Sequence, residues 1–146
     1  MQFTLLCSRH SLGLVLLVLF LGSDNNLPAS INPDVKVKGT WDARFKGTVQ
    51  GKGTSQDDSI VMELKQNGSI VKGTLRFSGL DVALPVTGKV AGTTFTYSAK
   101  ASVGPNCDAT VVGEVTVDEA AGRLEGSQTQ ANCEGTAVGQ VTAVRR

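Results

Sequence analysis

The sequence predicts an all-β protein, a single antiparallel, mostly up-and-down β-barrel of about 8 strands. Three observations lead there. Beyond residue 30 the chain is weighted towards valine, threonine and glycine. The first two suit a pleated surface, and all three disfavour helix. Apolar side chains recur at every second residue in segment after segment, the period of a half-buried strand. No apolar pattern at helical spacing is sustained, and residues 118–121 offer at most one helical turn.

The strands follow in order. Residues 40–49 place Trp41, Ala43 and Phe45 on one face and Asp42, Arg44 and Lys46 on the other. Residues 47–58 carry Gly47, Gly51 and Gly53 and read as a longer link. Residues 58–66 restart the alternation, with Ile60, Met62 and Leu64 together and Glu63 and Lys65 opposed. Asn67 and Gly68 then suit the left-handed angles of a two-residue hairpin turn. Residues 70–77 set Val71, Gly73, Leu75 and Phe77 against Lys72, Thr74 and Arg76. Further strands are expected at 80–86, 88–91, 93–101, 110–117, 123–130 and 136–144, some fusing through bends. Residues 102–108 and 117–122 are rich in turn formers and read as connections.

A flat sheet of this size keeps open edges and one bare apolar face. Closure into a barrel removes both; two packed sheets, a β-sandwich, are the alternative. Glycine weakens a strand, so its repeats at Gly39 and Gly73 need a steric reason. Gly39 leaves room beside the Trp41 indole, and Gly73 either accepts a neighbouring ring or lets the strand bend.

Residues 1–30 read as a signal peptide that is removed: Arg9 and His10 precede an apolar run from Leu12 to Gly22, with a polar exit. The uninterrupted apolar core is shorter than the ~20 residues a spanning helix needs. An uncleaved anchor is the alternative. Cleavage is expected after Ala29 or near Ser23. Residues 31–38 then form an N-terminal extension and residues 39–146 the barrel. Export places the chain in the periplasm or outside the cell.

Export also removes the single histidine and one of the three cysteines, leaving Cys107 and Cys133. An oxidising compartment favours a disulfide between them. Closing a loop of about 25 residues stabilises by roughly 3 kcal/mol. Formal net charge is +1, with bases scattered among acids. Nucleic-acid binding needs a concentrated basic surface, so no nucleic-acid partner is expected, and no stable membrane insertion once the signal is gone.

Without histidine the exported chain holds no Ser-His-Asp arrangement and no histidine-based zinc site. Glu63, Glu114 and Glu125 are the carboxylates a glycosidase-like hydrolase would draw on, but their alternation with apolar neighbours turns them to solvent. Asp57 and Asp58, with Asp118 or Glu119, are the weak candidates for calcium. The expectation is no enzyme, no metal and no cofactor.

Gly39-Thr40-Trp41, at the start of the first strand, resembles the Gly-x-Trp opening of the calycins, the lipocalin and avidin-like barrels. The resemblance covers those three residues and the strand count. It implies that Trp41 lies near the closed end of a barrel. It also implies that an arginine from near the chain terminus packs across the indole; Arg145 and Arg146 are the candidates, with Arg123 behind them. The lipocalin helix is missing. Biotin binding is not expected, because Trp41 is the only tryptophan and the first loop lacks suitably spaced small polar residues.

Two non-catalytic functions fit. One is a pocket for a small apolar ligand, lined by Trp41, Phe45, Phe77, Phe95 and Tyr97, the same rings that otherwise fill the core. The other is a secreted module that binds an extracellular protein or glycan through residues 50–58 and 102–109.

Overall fold

The computed structural model describes residues 35–146. The expected signal peptide, residues 1–30, and the start of the 31–38 extension lie outside the described residues. Eight strands follow in order: β1 (Gly39–Val49), β2 (Ser55–Asn67), β3 (Ile70–Phe77), β4 (Ala83–Ala91), β5 (Thr94–Gly104), β6 (Cys107–Asp118), β7 (Arg123–Asn132) and β8 (Gly135–Arg145). Each pairs antiparallel with the next, and β1 closes on β8 from Trp41↔Arg145 to Val49↔Ala137. This is an up-and-down barrel; the sandwich alternative is not adopted.

Three expected boundaries move. Residues 80–86 and 88–91 are not separate strands: β4 is continuous from Ala83, because Gly88 keeps its place in the ladder opposite Tyr97. The expected link at 47–58 shrinks to residues 50–54, since Gln56 and Asp58 pair with Gly47 and Phe45. The β2–β3 turn is Gly68 and Ser69, one residue later than expected. Asn67 pairs with Ile70, and Gly68 alone takes the positive φ, 59°, the first-position glycine that a tight hairpin favours.

Alternation builds the interior. Trp41, Phe45, Leu75, Leu84 and Phe95 have no exposed surface, while Arg44, Glu63, Lys65, Lys72 and Glu114 are exposed on the outer wall. A barrel spanning a lipid bilayer carries an apolar band outside and a polar interior; this one is the reverse. Among the described residues no helix is long and apolar enough to cross a membrane.

The repeated glycines act through close backbone approach. A Cβ on Gly73 would run into the carbonyl oxygen of Glu63 on β2, so β3 can press against β2 there only because the residue lacks one. No ring is accepted at Gly73; the space is taken by the β2 backbone. Gly39 behaves differently from its expectation: its open side faces Arg145, whose Cδ lies 4.0 Å from where a Cβ would sit, not the indole.

The end carrying the β2–β3, β4–β5 and β6–β7 turns is closed. Residues 35–37 cross it, pinned by backbone N–H bonds from Val35 to the Gly92 carbonyl (3.2 Å), Lys36 to Glu119 Oε2 (3.1 Å) and Val37 to Gln66 Oε1 (2.8 Å). Beneath them Trp41 Nε1 donates to the Val37 carbonyl at 2.8 Å. The Arg145 guanidinium stacks 4.6 Å from the indole centroid and donates to the Lys36 carbonyl. The buried indole N–H thus has an acceptor and its ring face a cation, while Arg145 Nε is buried without a partner among the described residues.

Candidate functional site

At the other end the inward residues shorten. Ala109 and Ala137 stand where the closed end has side chains such as Leu64 and Leu124. Small side chains on a wall of fixed diameter leave space. The result is a cavity of about 480 Å³ that opens between the β1–β2, β3–β4 and β7–β8 connections. Val49, Phe77, Leu84, Ala109, Val111 and Ala137 supply its apolar lining. The volume lies in the range of small-ligand sites, about 300–1,000 Å³.

Three polar side chains enter this apolar wall. Gln56 and Asp58 reach in from β2, and Gln130 from β7. Gln56 Nε2 donates to Asp58 Oδ2 at 2.7 Å and to Gln130 Oε1 at 2.9 Å. Both hydrogens of that amide are therefore engaged. Gln130 Nε2 is buried and has no partner. A buried donor without a partner is costly, which makes this atom a place for a ligand acceptor. At the rim Lys52 Nζ donates to the Glu134 carbonyl at 3.1 Å.

Deeper in the barrel the Tyr97 hydroxyl donates to Gln128 Oε1 at 2.5 Å. Burial pushes the Tyr97 phenol well above its ordinary 10.0, so it stays a neutral donor. Gln128 is only 2% exposed, and its Nε2 has no partner either.

Cys107 and Cys133 are disulfide-bonded, with Cα atoms 5.3 Å apart. The bond ties the start of β6 to the β7–β8 turn, two neighbours of the cavity rim. The expected clip between strand ends is what the structure shows.

The five rings expected at a pocket are divided. Phe77 lines the cavity. Trp41 lies at the closed end, and Phe45 is fully buried opposite Asp58 on the adjoining strand. Phe95 and Tyr97 stack on each other, centroids 5.1 Å apart, inside the packed interior. Glu63, Glu114 and Glu125 are exposed on the outer wall. Asp57 and Asp58 sit toward the open end and Asp118 and Glu119 at the closed one, so the four are not assembled into a calcium site. Among the described residues no three potential metal ligands cluster.

Reasoning from sequence placed Gln56 and Asp58 in a contact loop, with Asp58 a weak calcium candidate, and passed over their inward position and Gln130. The signal was present: Gln56 and Asp58 continue the inward period of Ile60, Met62 and Leu64 by two further steps. A larger hollow of about 620 Å³ lies on the outer wall of β4–β7, bordered by Thr87, Lys89, Val112 and Glu114. It is an open depression in one sheet face, with Tyr97 and the unpartnered Gln128 amide at its floor, whereas the mouth cavity has wall on several sides.

No protein-family model, curated protein or solved structure matches the chain. The molecule is an eight-stranded barrel of the general calycin kind in shape, with the Trp41–Arg145 stack at its closed end, and no family membership follows from that.

Proposed function

We propose that this chain is an exported, non-catalytic binding protein that holds a small, mostly apolar molecule in the mouth of its barrel. The observation that carries the reading is the cavity of about 480 Å³, with an apolar floor of Phe77, Leu84, Val111 and Ala137, a polar rim, and a buried amide at Gln130 whose Nε2 no protein atom satisfies. Export is supported by the character of residues 1–30 and by the Cys107–Cys133 bond, which suits an oxidising compartment. A non-catalytic role is supported by the outward placement of Glu63, Glu114 and Glu125 and by the lack of histidine beyond His10.

Native mass spectrometry of the protein from its own source tests the reading. A retained small molecule is expected, and Ala109→Phe, which fills the cavity from β6, should release it while leaving the fold intact. A chain that carries only a protein partner, equally well with and without Ala109→Phe, would instead favour interaction through the rim loops.

A further inference from the structure

Asp58 is the unusual member of the cavity wall. Its neighbour Asp57 faces outward and is bound by Arg44 through two hydrogen bonds of 2.7 Å. Asp58 faces inward, is half-buried, and receives one hydrogen bond, from the neutral amide of Gln56 to Oδ2. Among the described residues no lysine or arginine forms an ion pair with it. Asp58 thus presents a carboxylate to the cavity with no cation of its own.

The other charges at the mouth do not relieve it. Lys52 lies at the rim and gives its ammonium to a backbone carbonyl, and Glu134 adds a second carboxylate beside it. The lining therefore carries two carboxylates against one ammonium. Asp58 Oδ1 and Gln56 Oε1 remain as acceptors, and the Gln130 amide borders them.

Resting on the proposed mouth-cavity function, we infer that the ligand is a cationic amphiphile, an apolar body with an ammonium head, and that Asp58 binds the head. The ammonium donates to Asp58 Oδ1 and Gln56 Oε1, and the body lies against Phe77, Leu84 and Val111. An oxygen beside the amine, where the ligand has one, meets Gln130 Nε2. An anionic head is disfavoured by Asp58 and Glu134 together.

Octylamine, octanol and octanoate share one chain and differ in the head, so calorimetric titration of the purified protein with the three reads the head alone. Octylamine should bind tightest and octanoate weakest. The gap between amine and alcohol should be about tenfold or more, the scale of one charge-assisted hydrogen bond. Asp58→Asn keeps the shape and the Gln56 contact, and should bring amine and alcohol level. Gln130→Leu, a second variant, should leave the amine preference in place. Octanoate binding as tightly as octylamine, or an amine preference that survives Asp58→Asn, overturns the inference and leaves the cavity function standing. Failure of all three to bind, with Ala109→Phe indistinguishable from the unmodified chain, overturns both.

Discussion

The two ends of this barrel are made from the same alternating pattern and come out opposite. At the closed end Val37, Trp41, Leu64, Val71 and Leu124 fill the interior, the crossing strand accepts the Trp41 indole N–H and Arg145 covers its face, with Arg145 Nε the one plug atom left without a partner among the described residues. At the open end alanines take the inward positions, and glutamines and an aspartate share them with partners left over. What differs is side-chain volume, the length of the connections, and the crossing of the closed end by residues 35–37. One end is built for stability, the other retains unmet hydrogen-bonding capacity where a ligand can use it.

Trp41→Ala against Phe77→Ala is the sharpest way to break that contrast. Trp41→Ala should cost about 3–5 kcal/mol, the range for a buried large aromatic. It also strands the Val37 carbonyl and the Arg145 cation. Phe77 is only half-buried, so Phe77→Ala should cost about 1–2 kcal/mol, part of the full burial value for such a ring. Urea unfolding of both variants measures the difference. Equal losses would mean that the mouth is as tightly packed as the plug. In ligand binding the order should reverse, with Phe77→Ala the weaker binder of the two folded variants.

The disulfide comes next. Replacing Cys107 and Cys133 together by serine should cost roughly 3 kcal/mol for a loop of this length. Because the bond joins rim elements only, ligand affinity should fall in the double variant while the Trp41 fluorescence spectrum of the folded form stays unchanged. A shifted Trp41 spectrum would show that the clip braces the closed end as well, and the two ends would not be independent.

The plug was more legible in the sequence than the mouth, for a physical reason. A plug is made of strong local signals: a tryptophan beside a glycine, and an arginine at the far end of the chain whose register with β1 closes the barrel. The alternation that identifies strands likewise depends only on neighbours. A cavity is an absence, left where small residues of β6 and β8 line the same space, and no single strand encodes it. Ala109 and Ala137 look like any strand alanine until closure brings them together. Asp58 was hidden further, because a glycine-rich, polar stretch reads as a loop, whereas pairing with β1 carries β2 back to Ser55. The aromatic residues point to a different depth: Phe45 and Phe95 are packed in the interior, Tyr97 borders the outer hollow, and of the five rings Phe77 lines the mouth cavity.

The smallest expected effect concerns the outer wall, where each end carries one bidentate ion pair. Arg146 grips Asp42 near the closed end, with contacts of 2.7–3.0 Å, and Arg44 grips Asp57 toward the open end. Hydrogen bonding from the arginine holds each carboxyl below its ordinary 3.8. A lowered carboxyl contributes stability that is complete above its unfolded value and is lost as pH falls through the folded one. Asp42→Asn and Asp57→Asn should therefore each lower the melting temperature slightly at neutral pH. The deficit should close below pH 3.8 and shrink in molar salt, since all four side chains are exposed and screened. Matching small deficits would leave the plug as the source of closed-end stability. A much larger deficit for Asp42→Asn would shift that role to the chain terminus, because Arg146 also donates its backbone N–H to Thr40 at 2.9 Å and its release would free Arg145 from the indole.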